Sequence, residues 1–180
     1  MRKQGATTRG IVLIHLVVAL GIVRATEVHL EVPLVRQKQN GCGAATVVMV
    51  ARYWASQLPG VGHQANDVGE VHEQLYSAEA GGVRLSEMKV YFQERGFHAF
   101  TLRASWADLE DHLSKLRPVI ACLKKGPRAP LHYAVLVGLE GKRVLLNDPA
   151  RRKPQRLKRS AFEKRWNLAD RWVLLAVPRQ

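Results

Sequence analysis

The chain is poor in cysteine, with only Cys42 and Cys122 in 180 residues. Two cysteines allow at most one disulfide, or one reactive thiol and one buried spectator, and the residues around them favour the second interpretation. The sequence also has no internal repeat and no low-complexity tract. Its 47% hydrophobic and 24% charged residues are ordinary for a folded protein, and its length suffices for one domain with a sizeable core.

The first residues contain no acid. Residues 1–9 carry three cations, residues 10–23 are almost wholly apolar, and a small residue, Ala25, follows. This layout is typical of a secretory signal peptide, and the apolar stretch is short for a membrane span. No cysteine lies at the end of this stretch, which argues against a lipoprotein. We therefore expect residues 1–25 to be a signal peptide, or alternatively an uncleaved N-terminal anchor, and residues 26–180 to be an exported domain, periplasmic or secreted.

Acidic residues are also scarce in one later stretch. The net charge is +13, and residues 142–165 hold ten Lys or Arg against only Asp148 and Glu163. Such a run is usually a solvated face, but it can also attract anions. For an exported chain we expect at most weak association with an anionic membrane surface or envelope polymer, and we expect no nucleic acid.

The apolar pattern predicts helices in the first half of the chain and strands in the second. Residues 44–54 are apolar nearly all round, which indicates a buried central helix. Further helices are predicted over 67–76, 86–95, 105–116 (with a capping-box pattern at its start) and 160–166, and strands over 98–103, 119–123, 132–139, 143–147 and 172–177. This segregation predicts an α+β fold, with a helical lobe packed on a mostly antiparallel β-sheet.

Cys42 lies between two glycines where the buried helix is predicted to begin. A helix N-terminus offers unpaired N–H groups and the positive end of the macrodipole, and both favour a thiolate over a thiol. Gly41 and Gly43 would let a substrate backbone approach closely, and the Cys42 N–H could stabilise a developing oxyanion. The pattern therefore predicts a nucleophile at Cys42, whereas Cys122, within "PVIACL", is expected to be a buried spectator.

A base for this thiol is predicted on a hairpin far along the chain. His132 opens the strand "HYAVLVGL", and Asp148 follows the next strand in "LLNDP". A two-residue turn at residues 140–141 would pair His132 with Pro149 and leave Asp148 on the opposite face of the sheet. One extra loop residue or a bulge would bring both side chains to one face. We therefore predict an odd loop or a bulge here, with Asp148 fixing the imidazole of His132.

A second oxyanion donor is expected just before the cysteine. Gln37 lies five residues before Cys42, and its side-chain NH₂ could complete an oxyanion hole beside the Cys42 N–H. Gln39 is the rival candidate, and spacing alone does not distinguish the two. The remaining histidines share no metal-ligand spacing, so no metal site is predicted.

Three stretches form a combined pattern: "VPLVRQKQNGCGAA", "PLHYAVLVGLEGKRVLLNDPA" and "SAFEKRW…WVLLAVP". Over residues 32–178 they resemble the bacteriocin-processing, double-glycine leader peptidases, which are papain-like cysteine peptidases found as ABC-transporter domains and as stand-alone exported proteins. The resemblance implies a papain-like fold and a thiol peptidase that acts on a peptide or protein and requires no metal or organic cofactor. It assigns the oxyanion glutamine, nucleophile, general base and orienting acid to Gln37, Cys42, His132 and Asp148.

The chain differs from the transporter-linked members of that family. Gly41 stands where those members usually carry a polar, often acidic, residue, and there is no Walker-type motif or run of membrane spans. Neither transport nor ATP hydrolysis is therefore expected. Two alternative functions stay open: a catalytically silent peptide-binding module of the same fold that acts in export or envelope assembly, and an enzyme that transfers the acyl group to an amine.

Overall fold

The computed structural model describes residues 27–58, 61 and 67–179, so the predicted signal peptide lies outside the described residues. In chain order the elements are β1 (Glu27–His29), α1 (Cys42–Gln57), α2 (Val68–Leu75), β2 (Tyr76–Ser77), β3 (Gly82–Val83), α3 (Leu85–Glu94), β4 (Phe97–Arg103), α4 (Trp106–Ser114), β5 (Val119–Leu123), β6 (His132–Glu140), β7 (Arg143–Asn147), β8 (Gln155–Lys158), α5 (Arg159–Asn167) and β9 (Trp172–Pro178).

Helix α1 lies at the centre of the helical half. Its side chains are buried from Gly43 to Ala51 and again at Tyr53, because this stretch is apolar on every side. The helix packs against α2, α3 and the sheet strand β6. The predicted central helix is therefore confirmed, and it begins at Cys42, two residues before the predicted start.

The strands form a seven-stranded sheet with the order β4-β9-β5-β6-β7-β8, in which β1 pairs with the end of β6. Every pairing among the described strands is antiparallel. Strand β5 and the interior of β6 are fully buried, so the core of the protein lies on both faces of these two strands. The predicted α+β fold, with helices packed on an antiparallel sheet, is confirmed.

Three features were not predicted: the β2–β3 hairpin, β1 and β8. Strand β8 alternates half-buried and exposed residues, and its exposed Arg156 pairs with Glu140 of β6. Charged side chains of this kind protect an edge strand from pairing with other chains, and in the sequence they resemble a solvated basic run. Strand β1 fits beside β6 because a Cβ at Gly138 would overlap the carbonyl oxygen of Val28.

One local prediction concerns the start of a helix. The capping box at the start of α4 is confirmed, with Ser105 and Asp108 each accepting from the other's backbone N–H. None of the helices in the described part of the chain has the length and apolarity needed to cross a bilayer.

Candidate active site

Cys42 is the first residue of α1, and it follows a tight turn. Asn40 has a left-handed backbone with φ 53°, and the Gly41 N–H donates to the Lys38 carbonyl oxygen at 3.1 Å. The Gly41 carbonyl oxygen then accepts the first helical hydrogen bond, from Ala45, at 3.0 Å. Cys42 is half-buried at this helix N-terminus.

The two flanking glycines have packing roles, which differs from the sequence interpretation. A Cβ added to Gly43 would lie 2.6 Å from the Val83 Cβ, so the first turn of α1 packs directly on β3 at this point. A Cβ on Gly41 would lie 3.2 Å from the Lys38 carbonyl oxygen and 3.5 Å from the His72 ring. The space beside Gly43 is therefore filled by the protein itself, and that glycine does not open a path for a substrate.

His132 and Asp148 contact each other across the β6–β7 hairpin. The turn falls at residues 141–142, with Glu140 opposite Arg143, and the register shifts by one residue between Leu136 and Gly138. This shift is the predicted bulge, and it lies in β6 itself.

The bulge determines which face of the sheet each side chain occupies. Continuing the ladder beyond Val135 and Asn147 puts Ala134 opposite Asp148, so His132 lies on the same face as Asp148, two residues away. Side chains at such diagonal positions can meet. The His132 Nε2 and the Asp148 Oδ1 are 2.7 Å apart.

His132 also lies beside Cys42. The side-chain interaction and the charge of Cys42 both contribute to the raised pKa of His132, whose Nε2 meets Asp148. His132 therefore lies near both Cys42 and Asp148, although these two residues are more than a hundred positions apart in the chain.

The electrostatics of the site favour a charged imidazole. Burial opposes the charge on His132, but its hydrogen bonds and charge interactions with Asp148 and Cys42 outweigh burial and raise its pKa to about 9. Burial would likewise raise the pKa of Asp148, but His132, the Ala150 N–H and the charge of Arg151 lower it. An imidazolium–carboxylate pair is therefore expected at neutral pH.

Cys122 has a different environment. Both cysteines are free thiols, so the disulfide alternative is not realised. Cys122 is 1% exposed in β5, and burial, with a smaller contribution from Cys42, raises its pKa to about 12. It is a neutral core residue at physiological pH.

Gln37 and Gln39 are distinguished by their positions. Gln39 is exposed, whereas Gln37 is half-buried, and its backbone N–H donates to the Pro149 carbonyl oxygen at 3.0 Å. This bond attaches Gln37 to the residue that follows Asp148. Within the described part of the chain, the Gln37 Oε1 is buried and has no hydrogen-bond partner.

Sequence reasoning missed Asn147, the residue before Asp148. It is 2% exposed, and its Nδ2 donates to the Val32 carbonyl oxygen at 2.7 Å. The available signal was an amide at the end of an otherwise apolar strand, since buried polar groups require hydrogen-bond partners. Its partner, 115 residues away, could not be identified from the sequence.

The comparisons with known proteins concern the family and the fold of the chain. Residues 29–172 match the family model described as Peptidase_C39 like family. No curated protein sequence matches the chain significantly.

Three solved structures share the fold. The peptidase domain of Streptococcus ComA, described as a bifunctional ABC transporter of a quorum-sensing pathway, is 20% identical over 82% of this chain and 99% of that domain, with a TM-score of 0.65. A double glycine motif protease from an AMS/PCAT transporter, solved in complex with the leader peptide, is 21% identical over 85% of this chain and 98% of that protease, with a TM-score of 0.61. A Bacillus anthracis protein described as a C39-like peptidase is 15% identical over 86% of this chain and 99% of that protein, with a TM-score of 0.64.

These likenesses confirm the expected peptidase fold, and the family match confirms the resemblance drawn from the three sequence stretches. Because the matched residues span most of the sequence, we conclude that this chain belongs to the Peptidase_C39 like family.

Proposed function

We propose that this protein is a cysteine peptidase that hydrolyses peptide bonds through Cys42, His132 and Asp148. The observation that carries the proposal is the position of His132, whose Nε2 lies 2.7 Å from the Asp148 Oδ1 and which lies near enough to Cys42 for that side chain to help raise its pKa. A thiol beside an imidazole that is itself oriented by an acceptor is the arrangement that nucleophilic catalysis requires.

Acylation begins with the Cys42 sulfur and His132 as a thiolate–imidazolium pair. The thiolate attacks the carbonyl carbon of the scissile peptide bond, and the carbonyl oxygen becomes an oxyanion. As the C–N bond breaks, the leaving amine takes the proton of the His132 imidazolium. The products of this step are the free amine and a thioester on Cys42, with His132 neutral.

Deacylation reverses these roles. The neutral His132 removes a proton from water, and the resulting hydroxide attacks the thioester carbonyl carbon. The C–S bond breaks, the acyl group leaves as a carboxylic acid, and the thiolate–imidazolium pair is restored. Asp148 keeps one imidazole orientation through both steps and stabilises the charged form.

The oxyanion would be held by the Cys42 N–H and the Gln37 side-chain NH₂. Two observations support Gln37 over Gln39: its side chain is half-buried, and its N–H is bonded to Pro149 beside Asp148. Donors fixed in advance of the reaction stabilise charge that develops only in the transition state.

The substrate class that we propose is a peptide or protein. The protease from the AMS/PCAT transporter shares this fold and was solved with a leader peptide. Extending peptide binding to this chain is part of the proposal.

A peptide-cleavage screen tests the function. Wild type and Cys42→Ala are incubated with a mixed peptide library, and new termini are identified by mass spectrometry. We expect cleavage by wild type alone. If neither protein cleaves any peptide but both bind the same peptides, the chain is a silent binding module. If added amines appear in the products in place of water, it is an acyl transferase.

Location is a separate part of the proposal. We propose export, because of the leader-like residues 1–25, and weak attraction to anionic surfaces through the basic run at residues 142–165. N-terminal sequencing of the protein from expressing cells tests leader removal. Sedimentation with phosphatidylglycerol vesicles, compared with neutral vesicles, tests the attraction, which should disappear at high salt.

A further inference from the structure

Asn147 is a buried amide in an apolar strand. The three residues before it in β7, Val144, Leu145 and Leu146, are all buried hydrophobics, and Asn147 is 2% exposed. Only one half of its amide is satisfied: Nδ2 donates to the Val32 carbonyl oxygen, whereas Oδ1 has no partner among the described residues. A buried polar group with an unpaired oxygen costs stability, so packing alone would favour a valine or leucine at this position.

The side-chain hydrogen bond of Asn147 is one of three hydrogen bonds that attach an earlier part of the chain to β6, β7 and the residues after β7. The chain before the nucleophile, residues 30–37, which we call the crossing segment, runs from β6 past the end of β7. The Leu30 N–H donates to the carbonyl oxygen of the bulged Val137 at 2.7 Å. Asn147 holds the middle of the segment, and the Gln37 N–H donates to the Pro149 carbonyl oxygen at 3.0 Å at its end.

Asn147 provides the only side-chain bond of these three, and the other two are backbone bonds. Its side chain links the crossing segment to the strand that continues directly into Asp148. The Asn147–Val32 and Gln37–Pro149 bonds therefore attach the crossing segment to the two residues that flank Asp148.

We propose that Asn147 is a positioning residue for the oxyanion side of the site, which acts by holding the crossing segment so that Gln37 faces the reacting carbonyl. This inference rests on the proposed peptidase function. It makes a prediction that a purely structural role does not make: loss of Asn147 should impair steps that need the oxyanion donor and spare the reactivity of the Cys42–His132 pair.

The test compares two reactions of the same protein. Peptide hydrolysis requires the oxyanion donors, whereas alkylation of Cys42 by iodoacetamide forms no oxyanion. Asn147→Leu keeps the branched shape of the side chain and removes the donor. We expect kcat/KM for a cleaved peptide to fall about 10- to 100-fold, mainly in kcat, because the oxyanion donor is partly lost. Alkylation of Cys42 should stay within about twofold of wild type.

A matched control removes a different side-chain-to-backbone bond. Tyr53 is 3% exposed, and its OH donates to the Leu116 carbonyl oxygen at 2.8 Å. It lies about 16 Å along α1 from Cys42. Tyr53→Phe should change neither reaction beyond about twofold, since it acts on stability alone.

A double-mutant cycle with Gln37→Ala determines whether Asn147 acts through Gln37. If it does, Asn147→Leu should have little further effect on hydrolysis once Gln37 is absent. Additive effects in the cycle, or equal losses of hydrolysis and alkylation, would overturn the inference. If Asn147→Leu fails to fold, Asn147→Ser takes its place; failure of both would make Asn147 a stability residue and would also overturn it. If wild type cleaves no peptide, the proposed function itself fails, which is a separate outcome.

Discussion

The two cysteines of this protein have opposite environments. Cys42 lies half-buried at the start of α1, near enough to His132 to help raise the pKa of that imidazole. Cys122 lies in the middle of β5, is 1% exposed, and has a pKa raised to about 12. The two are near enough that charge on Cys42 contributes to the raised pKa of Cys122.

Under the proposed function, position in the fold, and not the residue type, decides which thiol reacts. A helix N-terminus and a charged imidazole stabilise a thiolate, whereas an apolar strand suppresses it.

The same substitution should reduce activity at one cysteine and stability at the other. Cys42→Ser should lower peptide hydrolysis by at least about 10³-fold, because imidazole does not ionise a hydroxyl as it does a thiol, and should leave stability almost unchanged. Cys122→Ser should keep activity in the folded protein but lose about 1–3 kcal/mol of unfolding free energy, because it buries a hydroxyl among apolar residues. Steady-state kinetics measures the change in hydrolysis, and urea unfolding measures the change in unfolding free energy. Equal losses of activity in both variants would contradict the contrast.

The two glutamines before Cys42 provide a second contrast. Gln37→Ala should reduce kcat by about 10²–10³-fold, which is the usual cost of removing one oxyanion donor, with little change in KM. Gln39→Ala is the matched control, since Gln39 is exposed and should matter less than about twofold. The reverse result would move the oxyanion role to Gln39.

Gly43 tests how tightly the start of α1 is held. Gly43→Ala should destabilise the protein by about 1–3 kcal/mol, because its Cβ would collide with Val83. Gly43→Ala should cost less in a Val83→Gly background, which lacks the colliding Cβ, than in the wild type, as measured by thermal unfolding. A neutral Gly43→Ala would show that β3 moves freely and that this glycine is available to a substrate after all.

The charge on His132 predicts a pH dependence. Since the pKa of His132 is raised to about 9, the imidazolium and the stability that it adds are complete below about 6.5 and are lost as the pH rises through about 9. The alkaline decline of kcat/KM should therefore lie near pH 9. In Asp148→Asn, which removes the carboxylate charge, that decline should move to lower pH. An unchanged pH profile would show that Asp148 does not support the charged imidazole.

The fold was largely predictable because its strongest signals are local. The buried helix over residues 44–54 and the strand over residues 119–123 are continuous apolar runs, and both are present in the structure. Strand β8 was missed since its charges are those of an edge strand, and β1 was missed because it is three residues long and depends on the space beside Gly138.

The site was predictable where a geometric condition could be stated in advance. His132 and Asp148 require a register shift to share a face, and the bulge in β6 supplies it. The roles of Gly43 and Asn147 depend on contacts with Val83 and Val32, which are distant in sequence, and no local pattern reports them. The roles of these two residues are therefore set by tertiary packing, which a single sequence does not show.

The rate of alkylation at each cysteine tests the central claim most directly. Wild type is treated with iodoacetamide near pH 7, and modification of Cys42 and Cys122 is followed separately by peptide mass spectrometry. We predict rapid alkylation at Cys42, none at Cys122 while the protein is folded, and a slower Cys42 reaction in His132→Ala. Similar rates at the two cysteines, or a Cys42 rate that does not depend on His132, would contradict the account.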